Sequence, residues 1–206
     1  MTDLVAVILA GGHGSRIGGD KPNIMLDGRS LIDRAIDHVA RWRIPARLSV
    51  RGPGQICTTR LAEVLDDPRF EGPIGGLLGA LTWAEEFGAR RVITIACDMP
   101  FLPCDLRRRL DAAAAQFGTP AVATSLQRRH PVCSVWPTGC LGPLQAYAHS
   151  GRRSLNGALE NCAAVSVDWP VQDGRDPFHN INTLNDLAEV SQAMNNFPSR
   201  SEGLPQ

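Results

Sequence analysis

The chain has 206 residues, and its 21 Lys and Arg balance 21 Asp and Glu, so the formal net charge is zero. That length suits one medium domain with a full sheet. Balanced charge without a basic block makes nucleic acid and anionic membrane surfaces poor partners, and no window reaches the roughly eighteen unbroken apolar residues of a membrane helix. A strand begins within a few residues of Met1, and no export-signal pattern precedes it, so a cytoplasmic location is expected. The six cysteines (57, 97, 104, 133, 140 and 162) form no C-x-x-C pair and read as reduced, buried thiols.

In chain order, the first strand is 4–9, short, β-branched and nearly continuous in apolar residues, as in a buried parallel sheet. Leu9 to Lys21, LAGGHGSRIGGDK, follows, with five glycines and the cations Arg16 and Lys21. A helix is expected over 30–43, capped by Ser30 with Asp33 three residues on, and Leu31, Ile32, Ala35, Ile36 and Val39 form its apolar face. Further strands are expected at 46–50, 91–97, 120–124, 132–136 and 164–168, and further helices at 75–87, 104–117, 140–149, 153–161 and 183–194. The last helix carries a second capping box, from Thr183 to Asp186.

This alternation predicts an α/β protein, a Rossmann-like three-layer sandwich with a mostly parallel sheet. The stretch between 124 and 132 is too short for a crossover helix, so that pair of strands should form an antiparallel hairpin in the second half. Residues 1–196 read as one domain, without an internal repeat or linker, and 197–206 as a disordered tail.

The glycine-rich loop lies between a strand and a helix, where α/β proteins bind ligands. Ile17 breaks the dinucleotide-binding glycine pattern, and Asp20 separates Gly19 from Lys21, which breaks the P-loop pattern. What remains is either a solvated connection or a loop that brings backbone N–H groups to an anion. Its length, and cations set among glycines, favour the second. Arg16 and Lys21 would then bind phosphate oxygens.

The strand Arg91–Cys97 runs into Asp98-Met-Pro. A carboxylate at that strand end either caps the turn before the proline or holds Mg²⁺ against substrate phosphates. The glycine loop on the same edge favours the metal. Gly72, Gly75 and Gly76 around Pro73 form either a plain connection of turn residues or a close backbone approach to an anion at a helix start. Asn180 and Asn182 either cap and turn the chain, or Asn182 lends a carbonyl oxygen to a metal or substrate. His130 and His179 read as polar loop residues, since no zinc-type spacing surrounds them.

Five segments, in order from about residue 7 to 190, resemble the molybdenum cofactor guanylyltransferase (MobA) family. LAGGHGSRIGGDK is similar to its L-A-G-G-x-x-S-R-M-G-x-D-K signature, with Ile17 in place of Met. GPIGGLLGAL, CDMPFLP, HPVCSVWP and DPFHNINTLNDL match its remaining segments. The resemblance implies a nucleotide-diphospho-sugar transferase-like fold and transfer of GMP from GTP to molybdenum-molybdopterin. The products would be the guanine dinucleotide cofactor and pyrophosphate, with Mg²⁺ as cofactor. It implies Arg16, Lys21 and Asp98 as catalytic, with Asp98 as metal ligand. It implies GTP contacts from Leu9, Ala10, Gly11, Gly12, Lys21, Asp67 (preferred over Asp66) and Asp98. Gly75, Gly76, Asn180 and Asn182 would serve the molybdopterin side. Proteins of cofactor biosynthesis or molybdoenzyme maturation are the implied protein partners.

One departure concerns the base. Members often carry Asn after the second strand, where this chain has Arg51. Arg donates to a guanine carbonyl but cannot accept from guanine N–H groups. Two rivals stand beside this reading. A CTP-using relative would generally read A-A-G at Ala10-Gly11-Gly12, and a non-catalytic nucleotide-binding carrier would not need Lys21 and Asp98.

Overall fold

The computed structural model describes residues 2–11, 21–56, 60–171 and 174–196. Gly12, Arg16 and the expected tail at 197–206 lie outside the described residues.

Nine strands and six helices alternate along these residues. The strands are β1 (Leu4–Leu9), β2 (Met25–Leu26), β3 (Arg29–Ser30), β4 (Ala46–Val50), β5 (Ala62–Leu65), β6 (Arg91–Ala96), β7 (Ala121–Ser125), β8 (Arg128–Pro137) and β9 (Val165–Asp168). The helices are α1 (Leu31–Ala40), α2 (Pro73–Glu86), α3 (Leu106–Phe117), α4 (Leu141–His149), α5 (Leu155–Asn161) and α6 (Leu184–Asn196). The seven-stranded main sheet runs β5-β4-β1-β6-β8-β7-β9, and β2 and β3 form a separate hairpin.

β1 explains the layering. Its side chains alternate across the sheet, so Leu4, Ala6 and Ile8 join the core under α1 and α3. Val5 and Val7 join the core under α2, α4 and α5. With both faces covered, the strand must be apolar throughout, as it is. Both predicted capping boxes are present. Ser30 Oγ accepts from Asp33 N at 3.1 Å, and Thr183 Oγ1 accepts from Asp186 N at 3.1 Å while Asp186 accepts from Thr183 N at 2.9 Å.

All pairings among β5, β4, β1 and β6 are parallel. The chain passes from β1 out through β4 to β5, then returns by α2 to the other side of β1. That reversal makes the carboxyl ends of β1 and β6 the switch point where open α/β sheets bind ligands. β8 lies antiparallel between β6 and β7, and β7 pairs parallel with β9.

The hairpin is tighter than its sequence suggests. β7 extends to Ser125 and β8 starts at Arg128, which leaves only Leu126 and Gln127 as the turn. Both stand at positive φ, 49° and 59°, as a primed two-residue turn requires. No Asn-Gly pair signals it, so 125–131 reads as a loop. His130 consequently sits within a strand, only 6 % exposed, and is not a loop residue. β5 also goes unsignalled. It is a four-residue edge strand, partly exposed and interrupted by Glu63, so it has no apolar run to find.

α2 closes tightly on the segment after β5. A Cβ at Gly79 would stand 2.2 Å from the Leu65 carbonyl oxygen, and one at Gly75 2.4 Å from that of Phe70. Both obstacles are backbone and cannot swing aside. Gly79→Ala should therefore destabilise the protein by about 2 kcal/mol, overpacking outweighing the gain in helix propensity. Thermal denaturation should show a melting temperature lower by roughly 4–8 °C; an unchanged one would mean that α2 shifts freely.

Candidate active site

Six chain segments meet at the carboxyl ends of β1, β4, β5 and β6. β1 ends at Leu9, opposite Ala96 of β6, and Ala10 and Gly11 continue from it. Ala10 N donates to Ser49 O at 3.1 Å, which holds the rim of β1 against the end of β4. Asp66 follows β5, and Asp98 lies two residues beyond β6.

Lys21 supplies the link across this rim. It is the sole lysine of the chain; every other Lys/Arg position is Arg. Its ammonium donates to Asp98 Oδ2 at 2.5 Å and to Asn182 Oδ1 at 2.9 Å. Both Lys21 and Asp98 side chains are only 14 % exposed, so screening by solvent is weak and the pair holds its geometry. A compact ammonium with three donors can serve two converging oxygens and keep one N–H for a further acceptor. Lys21, Asp98 and Asn182, widely separated in the chain, thus form one cluster.

Asn182 is carried there by an anchored segment. Ile181 N donates to Asp98 O at 2.9 Å. Phe178, fully buried, stacks on His130 with ring centroids 4.6 Å apart. Ser125 Oγ donates to Asp176 Oδ1 at 2.7 Å and lies 2.7 Å from His130 Nε2. Burial lowers the pKa of His130, against the pull of Asp176; with its own proton given to Asp176, Ser125 Oγ can accept from His130 Nε2. Spacing gives no sign of this anchor, because its members come from a strand end, a strand interior and a distant loop. Asn180 is half-buried within the anchored segment.

The two adjacent aspartates differ. Asp67 pairs with Arg69 at 2.7 Å, a bond that holds its carboxyl below the usual range. Asp66 instead faces the rim: a Cβ on Gly11 would stand 2.8 Å from Asp66 Oδ2. Ser49 Oγ donates to Asp66 Oδ1 at 2.5 Å. Asp66 therefore replaces Asp67 as the rim carboxylate, and Ser49 joins the site unannounced by any motif. Gly75 and Gly76 are buried in α2. Gly76 gives room to Ser49 Oγ and Asp66 Oδ1, where its Cβ would stand at 2.9 and 3.3 Å. Cys97, next to Asp98, is buried and its thiol is pushed up to about 12, which rules out a thiolate nucleophile.

Asp98 also fits Mg²⁺. Its Oδ1 is buried and without a hydrogen-bond partner, a hard oxygen acceptor beside the one taken by Lys21. A single carboxylate, completed by waters and phosphate oxygens, is the donor set Mg²⁺ favours.

The MobA-like NTP transferase domain model matches residues 6–164. The chain belongs to that family. A molybdenum cofactor guanylyltransferase from Bradyrhizobium sp. (strain ORS 278) is 37% identical, over 93% of this chain and 93% of the relative. Another, from Mesorhizobium japonicum, is 36% identical over 96% and 99%. Among solved structures, molybdopterin-guanine dinucleotide biosynthesis protein A from Archaeoglobus fulgidus superposes with a TM-score of 0.76 at 23% identity, covering 94% of this chain and all (100%) of that one. A CMP:2-keto-3-deoxy-manno-octonic acid synthetase complexed with CTP gives 0.71 at 10% identity, covering 93% and 98%. At such identities these structures establish the shared fold of this MobA-like family and its nucleotidyltransferase neighbours.

Burial raises the Asp66 pKa, outweighing the opposing pulls of Ser49 and Arg51. The folded state thus binds this proton more tightly than the unfolded chain. Asp66 costs stability above its folded pKa, and the cost disappears at acid pH. Asp66→Asn should leave the melting temperature at pH 7 equal to or above that of the wild type. A clear drop would show that the carboxylate supports the fold.

Proposed function

We infer that this chain transfers the guanylyl group of GTP to molybdenum-bearing molybdopterin, giving the guanine dinucleotide cofactor and pyrophosphate. The observation that carries the reading is the convergence of Lys21, Asp98 and Asn182 at the sheet's switch point, in a chain whose relatives carry this activity by name. Nucleotidyl transfer needs little covalent help from protein; positioning and neutralisation of phosphate charge supply the catalysis.

Each residue has a part in that task. The backbone of Leu9, Ala10 and Gly11 lines the floor for the nucleotide, and side-chain-free Gly11 lets it lie close to Asp66. Asp66 can accept from both guanine N1–H and the 2-amino group, while Arg51 can donate to the guanine carbonyl. Cytosine presents one amino donor beside an unprotonated ring nitrogen, so the same carboxylate disfavours it. Acceptance by Asp66 thus makes up for the Asn that relatives carry near Arg51. Lys21 holds α- and β-phosphate oxygens in line for attack by the molybdopterin phosphate. Arg16 adds a second cation from the glycine loop. Asn180 and Asn182 orient molybdopterin, with Gly75 and Gly76 acting beneath Asp66.

Asp98 Oδ1 would hold Mg²⁺, which screens the repulsion between two anionic reactants and the departing pyrophosphate. Asn182 keeps Lys21 aimed at the same oxygens. Proteins that deliver molybdopterin or mature molybdoenzymes are the expected partners, in the cytoplasm.

Pyrophosphate release with molybdopterin, Mg²⁺ and each nucleoside triphosphate tests this directly. GTP should be used at least tenfold faster than CTP, and Asp66→Asn should narrow that gap. Lys21→Met should lower turnover by about a hundredfold, the scale of one lost charge-stabilising donor. Preference for CTP, or GTP binding without release, would overturn the assignment.

A further inference from the structure

A second cleft, of about 750 Å³, opens between α1 and the start of α3, beside the 99–105 segment and the chain after β9. None of Lys21, Asp98 or Asn182 lines it, so it is distinct from the nucleotide rim. Its charge is one-sided in a chain whose net charge is zero. Arg34, His38 and Arg41 reach it from α1 at helical spacing, on one face. Arg109 reaches it from α3.

The acids in its wall are already engaged. Asp37 is bound by Arg29 and by Arg60, the latter at 2.5 Å. Asp105 accepts from Trp169 Nε1 at 2.8 Å, and its nearest contact with Arg109 is 3.9 Å. Arg34 and Arg109, by contrast, make their hydrogen bonds to neutral groups. Arg34 Nε donates to the Leu26 carbonyl at 3.1 Å. Arg109 donates to the Asp168 carbonyl at 2.7 Å and lies over the Trp169 ring at 4.2 Å. The exposed side chain of Arg41 has no ion-pair or hydrogen-bond partner among the described residues. A guanidinium fixed by a carbonyl keeps its full charge and holds its remaining N–H groups in a set direction.

The cleft offers more than charge. His38 Nε2 is buried with no partner, and burial holds this ring neutral, with its pKa lowered to about 4. The deeper wall is apolar, with Ala35, Met99 and Leu102 each less than a tenth exposed. Three cations above an apolar floor match a ligand with a dianionic head and a flat, apolar body.

We propose that this cleft is a second binding site, taking a small organic phosphate with its phosphate between Arg34, Arg41 and Arg109 and its body on Met99 and Leu102. The site goes beyond guanylyl transfer and stands or falls separately from it. Since Met99 adjoins Asp98 in sequence, an occupant there would rest against the segment that carries the rim carboxylate.

Isothermal titration of the full chain with 1-naphthyl phosphate tests this, with inorganic phosphate and 1-naphthol as partial probes. Binding of 1-naphthyl phosphate should be at least tenfold tighter than either partial probe, because each offers half of the complementarity. Arg41→Glu, an exposed change that spares the fold, should weaken it tenfold to a hundredfold. Arg41→Lys should restore part of the loss, and Lys21→Ala should leave this binding unchanged. Loss of binding in Lys21→Ala with none in Arg41→Glu would place the phosphate at the nucleotide rim and overturn the proposal. Absence of binding to the wild type would overturn it as well. Guanylyl transfer by the wild type, measured without the probe, reports separately on the assignment made above.

Discussion

The ion pair between Lys21 and Asp98 is the constraint around which this molecule is organised. It joins a short helical turn after the glycine loop to the end of a buried strand, and Asn182 ties in the far end of the chain. An ammonium and a carboxylate that are both mostly buried are costly to desolvate, and a hydrophobic pair of similar size would often serve stability as well. At the switch point of the sheet such a pair is charge held in place in advance. Use of lysine at this one place, in a chain otherwise supplied with arginine, fits the same logic. A compact ammonium can turn between a carboxylate, an amide and a phosphate, where a planar fork could not.

The supports of that pair explain features that otherwise look incidental. The Ser125–Asp176 bond and the His130–Phe178 stack hold the 176–182 segment against the sheet, and this keeps Asn182 within reach of Lys21. Gly75, Gly76 and Gly79 let α2 close on the chain after β5, and this closure sets Asp66 at the rim. Burial there raises the Asp66 pKa, against the pull of the Ser49 hydrogen bond. The rim thus carries two carboxylates in different settings, Asp66 beside Gly11 and Ser49, and Asp98 beside Lys21.

Much of this was legible in the sequence because it rests on local signals. Unbroken apolar strands, 3.6-residue periodicity and two capping boxes depend on near neighbours, and each is present where expected. Lys21, Asp98 and Asn182 stand out in the sequence by residue type and by their places beside a strand end or a helix start. What stayed hidden depends on contacts between distant segments. Asp66 and Asp67 are equivalent in sequence, and only the turn geometry that gives Asp67 to Arg69 separates them. The primed turn at Leu126–Gln127 lacks glycine and asparagine, so His130 looked like a loop residue. Ser49 has no motif, and its role follows from the parallel register of β4 and β5. The cationic cleft likewise exists only because α1 and α3 cover the same face of the sheet.

The most direct test of the central claim uses the solitary lysine. With ¹³Cε-labelled lysine, the full chain should give one Lys side-chain resonance in solution. That resonance should move on addition of GTP and Mg²⁺, move far less with CTP, and start from a different position in Asp98→Asn. A resonance left unmoved while GTP binding is seen by an independent readout would contradict the account, because the nucleotide would then lie away from the ion pair.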